Sequence, residues 1–419
     1  MWEEKLRKVL LALFFVSLCL PVAIQQATLG VLLAFLAYTG WRNKGLPATP
    51  LDRPLLWFFA ALLLSTLMSP DVTTSLAGYR KLWLVGAFFV TYRLVREPQE
   101  AERLVSLLVM VATAVAAYGI VQHFTGLDLA KQLLGKEPNV GAFWFGREEG
   151  FRTKGLFPSG ITYAHNVLFP LTFLTTQLFA PVLPWPRRLV LLGGWGLMVF
   201  ALLFSLTRGV WLAYTVVIVL LGVTRGGKAL LAVGACAVLL GVSLVGAGLG
   251  VRERAAQVFT LKDNLGRSQI WQANLDMIRE RPLLGWGYGN YKKFRDPYYQ
   301  RYPAADTTAH AHNNFLQMWV DGGLIGVGAF LFLFWVILHA GWQAYRLLPA
   351  AAEPLHSLAL GGALGVAGFL LGGLTQYNFG DAEVVIVLWA TAGVVMRVRE
   401  WAEERTGGRG SGAGENRNK

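Results

Sequence analysis

Two imidazoles, His310 and His312, stand where the polar stretch 250–312 gives way to a long apolar run, in His310-Ala-His-Asn-Asn-Phe-Leu-Gln-Met-Trp-Val-Asp-Gly-Gly-Leu-Ile-Gly326. Histidine is the side chain most readily used as a base near neutral pH. A helix N-terminus disfavours the imidazolium, so His312 at such a start stays neutral and able to accept a proton. The same position also reads as an interfacial histidine capping a helix. Cations gather at other predicted helix ends: Arg208 in Ser205-Leu-Thr-Arg-Gly-Val-Trp211, Arg267, the pair Arg80 and Lys81, and Arg152 in Phe151-Arg-Thr-Lys-Gly-Leu-Phe-Pro158. A guanidinium offers a planar fork that holds phosphate oxygens bidentately and keeps its charge. The plainer reading of each is snorkelling, or pairing with Asp321, Asp381 or Glu383.

Composition sets where these groups must sit. With 54% hydrophobic residues, 15% charged residues and 15 Trp, and a mean hydropathy of +0.46, the chain has too little polar surface for a soluble protein of its length. It reads as an all-α polytopic membrane protein. Apolar runs near the length needed to cross a bilayer, about 20 residues, predict twelve spans: 6–24, 27–41, 54–69, 76–95, 103–122, 160–181, 188–205, 209–224, 229–249, 313–341, 355–375 and 382–398.

The short connections divide by charge. One set carries Lys5, Arg7 and Lys8, then Arg42, Lys44 and Arg53, then Arg93, Arg96 and Arg103, and later Arg187, Arg188, Arg225, Lys228, Arg346, Arg397 and Arg399. These are expected inside. The opposite connections, around Gln25, 69–78 and 375–381, hold no Lys or Arg, and the one near Thr207 holds only Arg208. The expected organisation is therefore spans one to nine over 1–249 with an outer loop at 123–159, an outer subdomain at 250–312, spans ten to twelve over 313–400, and a disordered inner tail at 401–419. The first apolar run lacks a small-residue cleavage pattern and leads straight into a second span, so it reads as an uncleaved helix. Cys19 and Cys236 both lie in spans, which leaves no disulfide or cysteine metal site.

Within the outer subdomain, Ile270, Trp271, Asn274, Leu275, Met277 and Ile278 follow helical spacing from Arg267 to Arg281, with Leu275 on the apolar stripe between Trp271 and Ile278, and Pro282 ends the helix. Glycines 285, 287 and 289 follow in Pro282-Leu-Leu-Gly-Trp-Gly-Tyr-Gly-Asn290. No strand precedes them, so they read as a turn or a close backbone approach to ligand, not as a dinucleotide loop. Residues 250–312 hold ten Lys or Arg against six Asp or Glu, and this excess attracts an anionic partner. Asp321, two turns into span ten, is expected to have a cationic partner and to shape the site. His165, in Tyr163-Ala-His-Asn166, reads as a satisfied interfacial histidine.

No internal repeat relates the two halves, and polar residues crowd the outer helix ends instead of the midplane where a secondary transporter keeps its site. Chemistry at the outer leaflet fits better than passage. There is no Gly-x-Ser-x-Gly elbow, and Asp381 with Glu383 is the one nearby acidic pair for a two-carboxylate route.

His312-Asn313, nine residues, then Gly323-Leu-Ile-Gly326 resembles the H-N-x9-G-x-x-G pattern of bacterial O-antigen ligases, within the superfamily that includes O-antigen polymerases and pilin oligosaccharyltransferases. The resemblance extends to Arg208, to Arg267 with Trp271, to the segment 282–289 and to Arg152-Thr-Lys-Gly-Leu-Phe, where Pro158-Ser-Gly-Ile departs from the usual Pro-Asn. It implies a GT-C-like glycosyltransferase of the bacterial inner membrane. Its site would face the periplasm and take a glycan from undecaprenyl diphosphate to a sugar of the lipid A core, with membrane lipids around it and no nucleic acid partner. His312 would be the key imidazole, and Arg208 and Arg267 would hold the diphosphate.

Elementary chemistry agrees with that implication. A diphosphate leaving group needs a metal or fixed cations, and the outer loops lack an Asp-x-Asp or an acid cluster with metal-ligand spacing. No metal and no cofactor is therefore expected. Arg208 and Arg267, assisted by Arg80 or Lys81 and by Arg152, would take the charge while His312 removes the acceptor proton for inverting attack. His310 would position the acceptor or act as the base instead, and Asn313 would contact substrate. A polymerase would use the same donor with a second lipid-linked acceptor; a transporter would not need His312.

Overall fold

A computed structural model describes residues 2–133, 151–181, 183–226, 234, 261–305 and 310–412. All regular structure among them is helical: α1 (Trp2–Ser17), α2 (Val22–Arg42), α3 (Asp52–Leu67), α4 (Val72–Gly78), α5 (Gly86–Leu94), α6 (Pro98–Thr125), α7 (Gly160–Leu178), α8 (Trp185–Phe204), α9 (Arg208–Arg225), α10 (Leu261–Glu280), α11 (Asn314–Leu347), α12 (Leu355–Gly372) and α13 (Ala382–Gly412), joined by short single-turn helices. Six of these, α2, α6, α8, α9, α11 and α12, are long and apolar enough to cross a bilayer. The chain is a polytopic helical membrane protein. The expected span 229–249 lies, except for residue 234, outside the described residues.

The bundle is built around α7, which is buried along nearly its whole length. In lipid no hydrophobic force drives helices together, so close backbone approach through small residues has to supply the packing. α12 provides it. A Cβ added at Gly361 would come within 2.6 Å of Thr176 Oγ1, and one at Gly365 within 3.0 Å of Thr172 Oγ1. The threonine hydroxyls facing these glycines donate back to Phe173 and Phe169 carbonyls at 2.9 and 2.8 Å.

Three expectations are corrected. The segment 76–95 is not one span: α4 is followed by a 3-10 stretch, Tyr79–Val85, and only then by α5. The reason is tertiary. Ser75 Oγ donates to the Tyr288 carbonyl at 2.9 Å, and a Cβ at Gly78 would lie 2.9 Å from the same oxygen, so the outer subdomain docks on this corner and tightens it. The tail expected to be disordered from 401 instead continues α13 to Gly412, with Trp401 and Ala402 buried and Trp401 beneath the Arg397 guanidinium. Finally, the buried stripe of α10 is rotated from that expected. Ile270, Ala273, Asn274, Met277 and Ile278 face a small second core with Trp286, Tyr291, Tyr298 and Tyr299, whereas Leu275 is exposed.

That second core is fastened to α11 by a break in the helix. At Gly323 the backbone takes φ 63° and ψ −166°, a region open essentially to glycine alone. Two intrahelical bonds, from the amides of Leu324 and Ile325 to the carbonyls of Val320 and Asp321, are thereby lost. Both pairs of groups find partners in the segment after α10. Leu324 N donates to Pro282 O at 2.8 Å and Ile325 N to Leu283 O at 3.3 Å, while Val320 O accepts from Trp286 N at 2.8 Å and Asp321 O from Gly287 N at 3.0 Å. Glycines 285, 287 and 289 all have positive φ; Gly285 lies against the backbone of Val320 to Gly323, Gly287 against Ser69, and Gly289 against the backbone of Gly78.

The two glycines of the Gly323-Leu-Ile-Gly326 pattern therefore differ. A Cβ at 323 would overlap the Leu283 carbonyl, while one at 326 meets only ordinary contacts, the nearest at 3.6 Å. Gly323→Ala should lose at least about 2 kcal/mol through strain and overlap and abolish a cooperative melt near the wild-type temperature. Gly326→Ala should match or exceed wild type in the same thermal-shift measurement.

Candidate functional site

The first turn of α11 holds the site's imidazoles in place through the strap that joins α12 to α13. Asn314 N donates to Gly373 O at 2.7 Å, Asn313 Nδ2 donates to Leu374 O at 3.0 Å, and His312 Nδ1 lies 2.8 Å from Gln376 Oε1. Asn313 is also the N-cap, its Oδ1 accepting from Phe315 N and Leu316 N at 2.8 and 3.0 Å. Its carboxamide is thus engaged in starting the helix. Asn314, fully buried, ties the other end of the strap through Asn378 Oδ1 at 2.6 Å and Phe379 N at 3.1 Å.

His312 itself has φ 48°, a left-handed conformation that costs a non-glycine residue about 1–2 kcal/mol. The turn aims its ring at Gln376. An amide oxygen can only accept, so His312 carries its proton on Nδ1 and presents a lone pair on Nε2. Burial pushes the His312 imidazolium below the ordinary histidine range, and the nearby Arg267 charge pushes it the same way, against the opposing Gln376 bond. His310 packs edge-on against it, 4.4 Å between ring centres, and its Nδ1 accepts the His312 amide at 3.3 Å. Burial, His312 and the charges of Lys292, Lys81 and Arg295 bring His310 down to about 4. Both rings therefore favour the neutral form at pH 7.

The cations close in from three sides. Arg267, exposed on α10, acts on His312 through its charge. Lys81 donates to Gly380 O at 3.1 Å, which brings the 3-10 stretch onto the strap. Arg208 opens α9, and its neighbour Gly209 packs so tightly on Thr375 that a Cβ would overlap the threonine hydroxyl; Thr375 directly precedes Gln376. Arg152 reaches this corner too, with Nε donating to Ser205 O at 2.5 Å and Nη2 to Thr207 Oγ1 at 3.0 Å. The corner turns on Leu206, another non-glycine residue with positive φ. Arg80 is exposed, and the structure ties it to none of the others.

The segment bearing Arg152 is itself strapped to α6. Gln122 Oε1 accepts from Lys154 N and Gly155 N at 2.9 and 3.0 Å, Lys154 pairs with buried Asp128 at 2.8 Å, and the His123 ring stacks on Phe204 at 4.0 Å. Among the described residues Asp321 has no cation as partner. Gln317 Nε2 donates to its Oδ2 at 3.1 Å and the Gly289 amide also reaches it, so the carboxylate serves the helix break. His165 is buried and bonded to Ile161 O at 2.9 Å. Among the described residues no group of three or more His, Cys, Asp or Glu side chains is placed to hold a metal ion.

Gln376 escaped sequence reasoning, although Thr375-Gln-Tyr-Asn-Phe-Gly-Asp381 is a conspicuously polar run between two apolar helices. His312, bonded to Gln376 and under the charge of Arg267, therefore lies at the end of the bundle where Lys81 meets the strap. Residues 194–331, within the 419-residue chain, match the family model described as O-Antigen ligase. The match takes in Arg208, Arg267, His310, His312, Asn313, Gly323 and Gly326, and leaves Arg80, Lys81, Arg152 and Gln376 outside it. No curated protein matches the chain.

Because His312 is held below the ordinary value, its base form persists on acidification, and the acid limb of the pH–rate profile should lie below about pH 6.5. Gln376→Glu sets a carboxylate against Nδ1, which favours the imidazolium and raises its pKa. The acid limb of that variant should move to higher pH by about one unit. An unmoved limb would show that Gln376 does not act through His312.

Proposed function

We propose that the protein is an O-antigen ligase of the bacterial inner membrane, a twelve-span GT-C-like glycosyltransferase whose site faces the periplasm. It moves a glycan from undecaprenyl diphosphate to a sugar of the lipid A core. The observation that carries this reading is the His312 imidazole, held by Gln376 and kept toward its neutral form by burial and the charge of Arg267. Nε2 takes the proton of the acceptor hydroxyl as its oxygen bonds to the anomeric carbon. The bond from that carbon to the diphosphate breaks in the same step, with inversion, and undecaprenyl diphosphate leaves.

Negative charge grows on the leaving diphosphate as the bond breaks, so fixed cations stabilise the transition state more than the bound donor. Arg208 and Arg267 take this role, with Lys81 and Arg152 supporting them and Arg80 nearest the solvent. The base is His312 in preference to His310, because a pKa near 4 makes His310 a poor proton acceptor at neutral pH. His310 instead orients the acceptor, and Asn313 keeps the turn that aims His312. The outer subdomain, 250–312, brings Arg267 to this centre.

Purified protein with undecaprenyl-diphosphate glycan and lipid A core, in EDTA, should transfer glycan to the core. His312→Ala, Arg208→Ala and Arg267→Ala should each lower kcat by about 10²–10³-fold, as loss of a transition-state group does. Lengthening of the donor glycan without core modification would make the protein a polymerase, and undiminished activity in His312→Ala would remove the proposed base.

A further inference from the structure

The end of the bundle opposite the imidazole site, where α6 and α8 begin and α7 ends, carries a second cavity of distinct character. An apolar groove of about 540 Å³ runs between these helices, walled by Met110, Ala114, Leu174 and Leu197 among others, within the usual range for ligand pockets, about 300–1,000 Å³. It adjoins a polar cavity of about 170 Å³ bounded by Glu102, Gln177, Arg187 and Glu353. Gln177, Arg187 and Leu191 line both. A polar head thus lies beside an apolar body.

Its polar groups are incompletely used. Gln177 is only 7% exposed, yet its Nε2 finds no acceptor among the described residues, an unfavourable state for a buried donor. Arg187 reaches Glu102 at 3.5 Å, and both side chains remain partly open. Glu353 is already satisfied by Arg225 at 3.2 Å and by the Ser357 amide at 3.2 Å. What remains for a ligand is a guanidinium, a buried amide N–H and one carboxylate. A phosphodiester complements the first two and a hydrogen-bonding ammonium the third. A purely anionic headgroup would meet Glu102 with like charge, and a quaternary ammonium has no N–H to give it.

We propose that this cavity binds a glycerophospholipid with a primary-ammonium headgroup. Its phosphate lies on Arg187 and Gln177, its ammonium on Glu102, and one acyl chain in the groove. The assignment is independent of the reaction at the other end of the bundle. Native mass spectrometry of the detergent-purified protein, titrated with phosphatidylethanolamine, phosphatidylglycerol or phosphatidylcholine, tests it. Phosphatidylethanolamine should be retained in preference to the other two. Arg187→Ala should lower its retention about tenfold, the worth of a charge-assisted hydrogen bond. Ala114→Phe, which fills the groove from an exposed position, should do the same, and Glu102→Gln should erase the preference over phosphatidylcholine. Equal retention of the three lipids, no retention of any, or unchanged binding in a folded Ala114→Phe would overturn the proposal.

Discussion

The architecture of the site depends on one interruption of a helix. At Gly323, α11 gives up two of its own hydrogen bonds, and the segment 282–287 replaces all four orphaned groups from outside. Buried backbone groups at membrane depth are tolerated only when something else satisfies them, so the break and the segment are each other's condition. The exchange locks the outer subdomain, with Arg267 on its first helix, against the nine residues of α11 that follow His312 and Asn313. Ser65 Oγ adds a third element by donating to the Asp321 carbonyl at 2.7 Å, so α3 shares the same joint. The distance in sequence between the histidine and the glycine is thus the length of helix needed to reach from the imidazole to the joint.

From that joint outward, the site is an assembly of corners, not of spans. His312 and Leu206 both adopt left-handed backbone, and each stands two residues ahead of a helix that begins at the site, α11 and α9. The 373–376 strap lies between these two starts, bonded to one through Gln376, Leu374 and Gly373 and packed on the other through Thr375. Local strain of this kind persists where surrounding contacts over-determine it. It sets the His312 ring against Gln376 under the charge of Arg267, the arrangement on which the proposed reaction rests.

Much of this was legible in the chain because it is local. The apolar runs showed a membrane protein, the polar-to-apolar switch at His312-Asn313 located a helix start, and Pro282 marked the end of the outer helix. Asn313, expected to contact substrate, proves to be the N-cap of that helix. The unreadable parts depend on partners far along the chain. Gln376 is 64 residues from His312, and nothing in either neighbourhood announces the bond. Residues 76–95 are apolar enough for a continuous span; only the docking of Tyr288 and Gly289 on Ser75 and Gly78 turns them into three short pieces. Asp321 looked like half of an ion pair because a carboxylate in a span needs a partner, and periodicity could not reveal that Gln317 and the Gly289 amide would serve. The burial pattern of α10 was misplaced because its aromatic partners come from 286–299, a stretch with no period of its own.

The central claim is a single displacement at the anomeric carbon, driven by a neutral His312 and accepted by fixed arginines. Its most direct test is the anomeric configuration of the transferred glycan, read by NMR on product from a donor of defined stereochemistry. Inversion relative to the donor is the result this account predicts. Retention would contradict it.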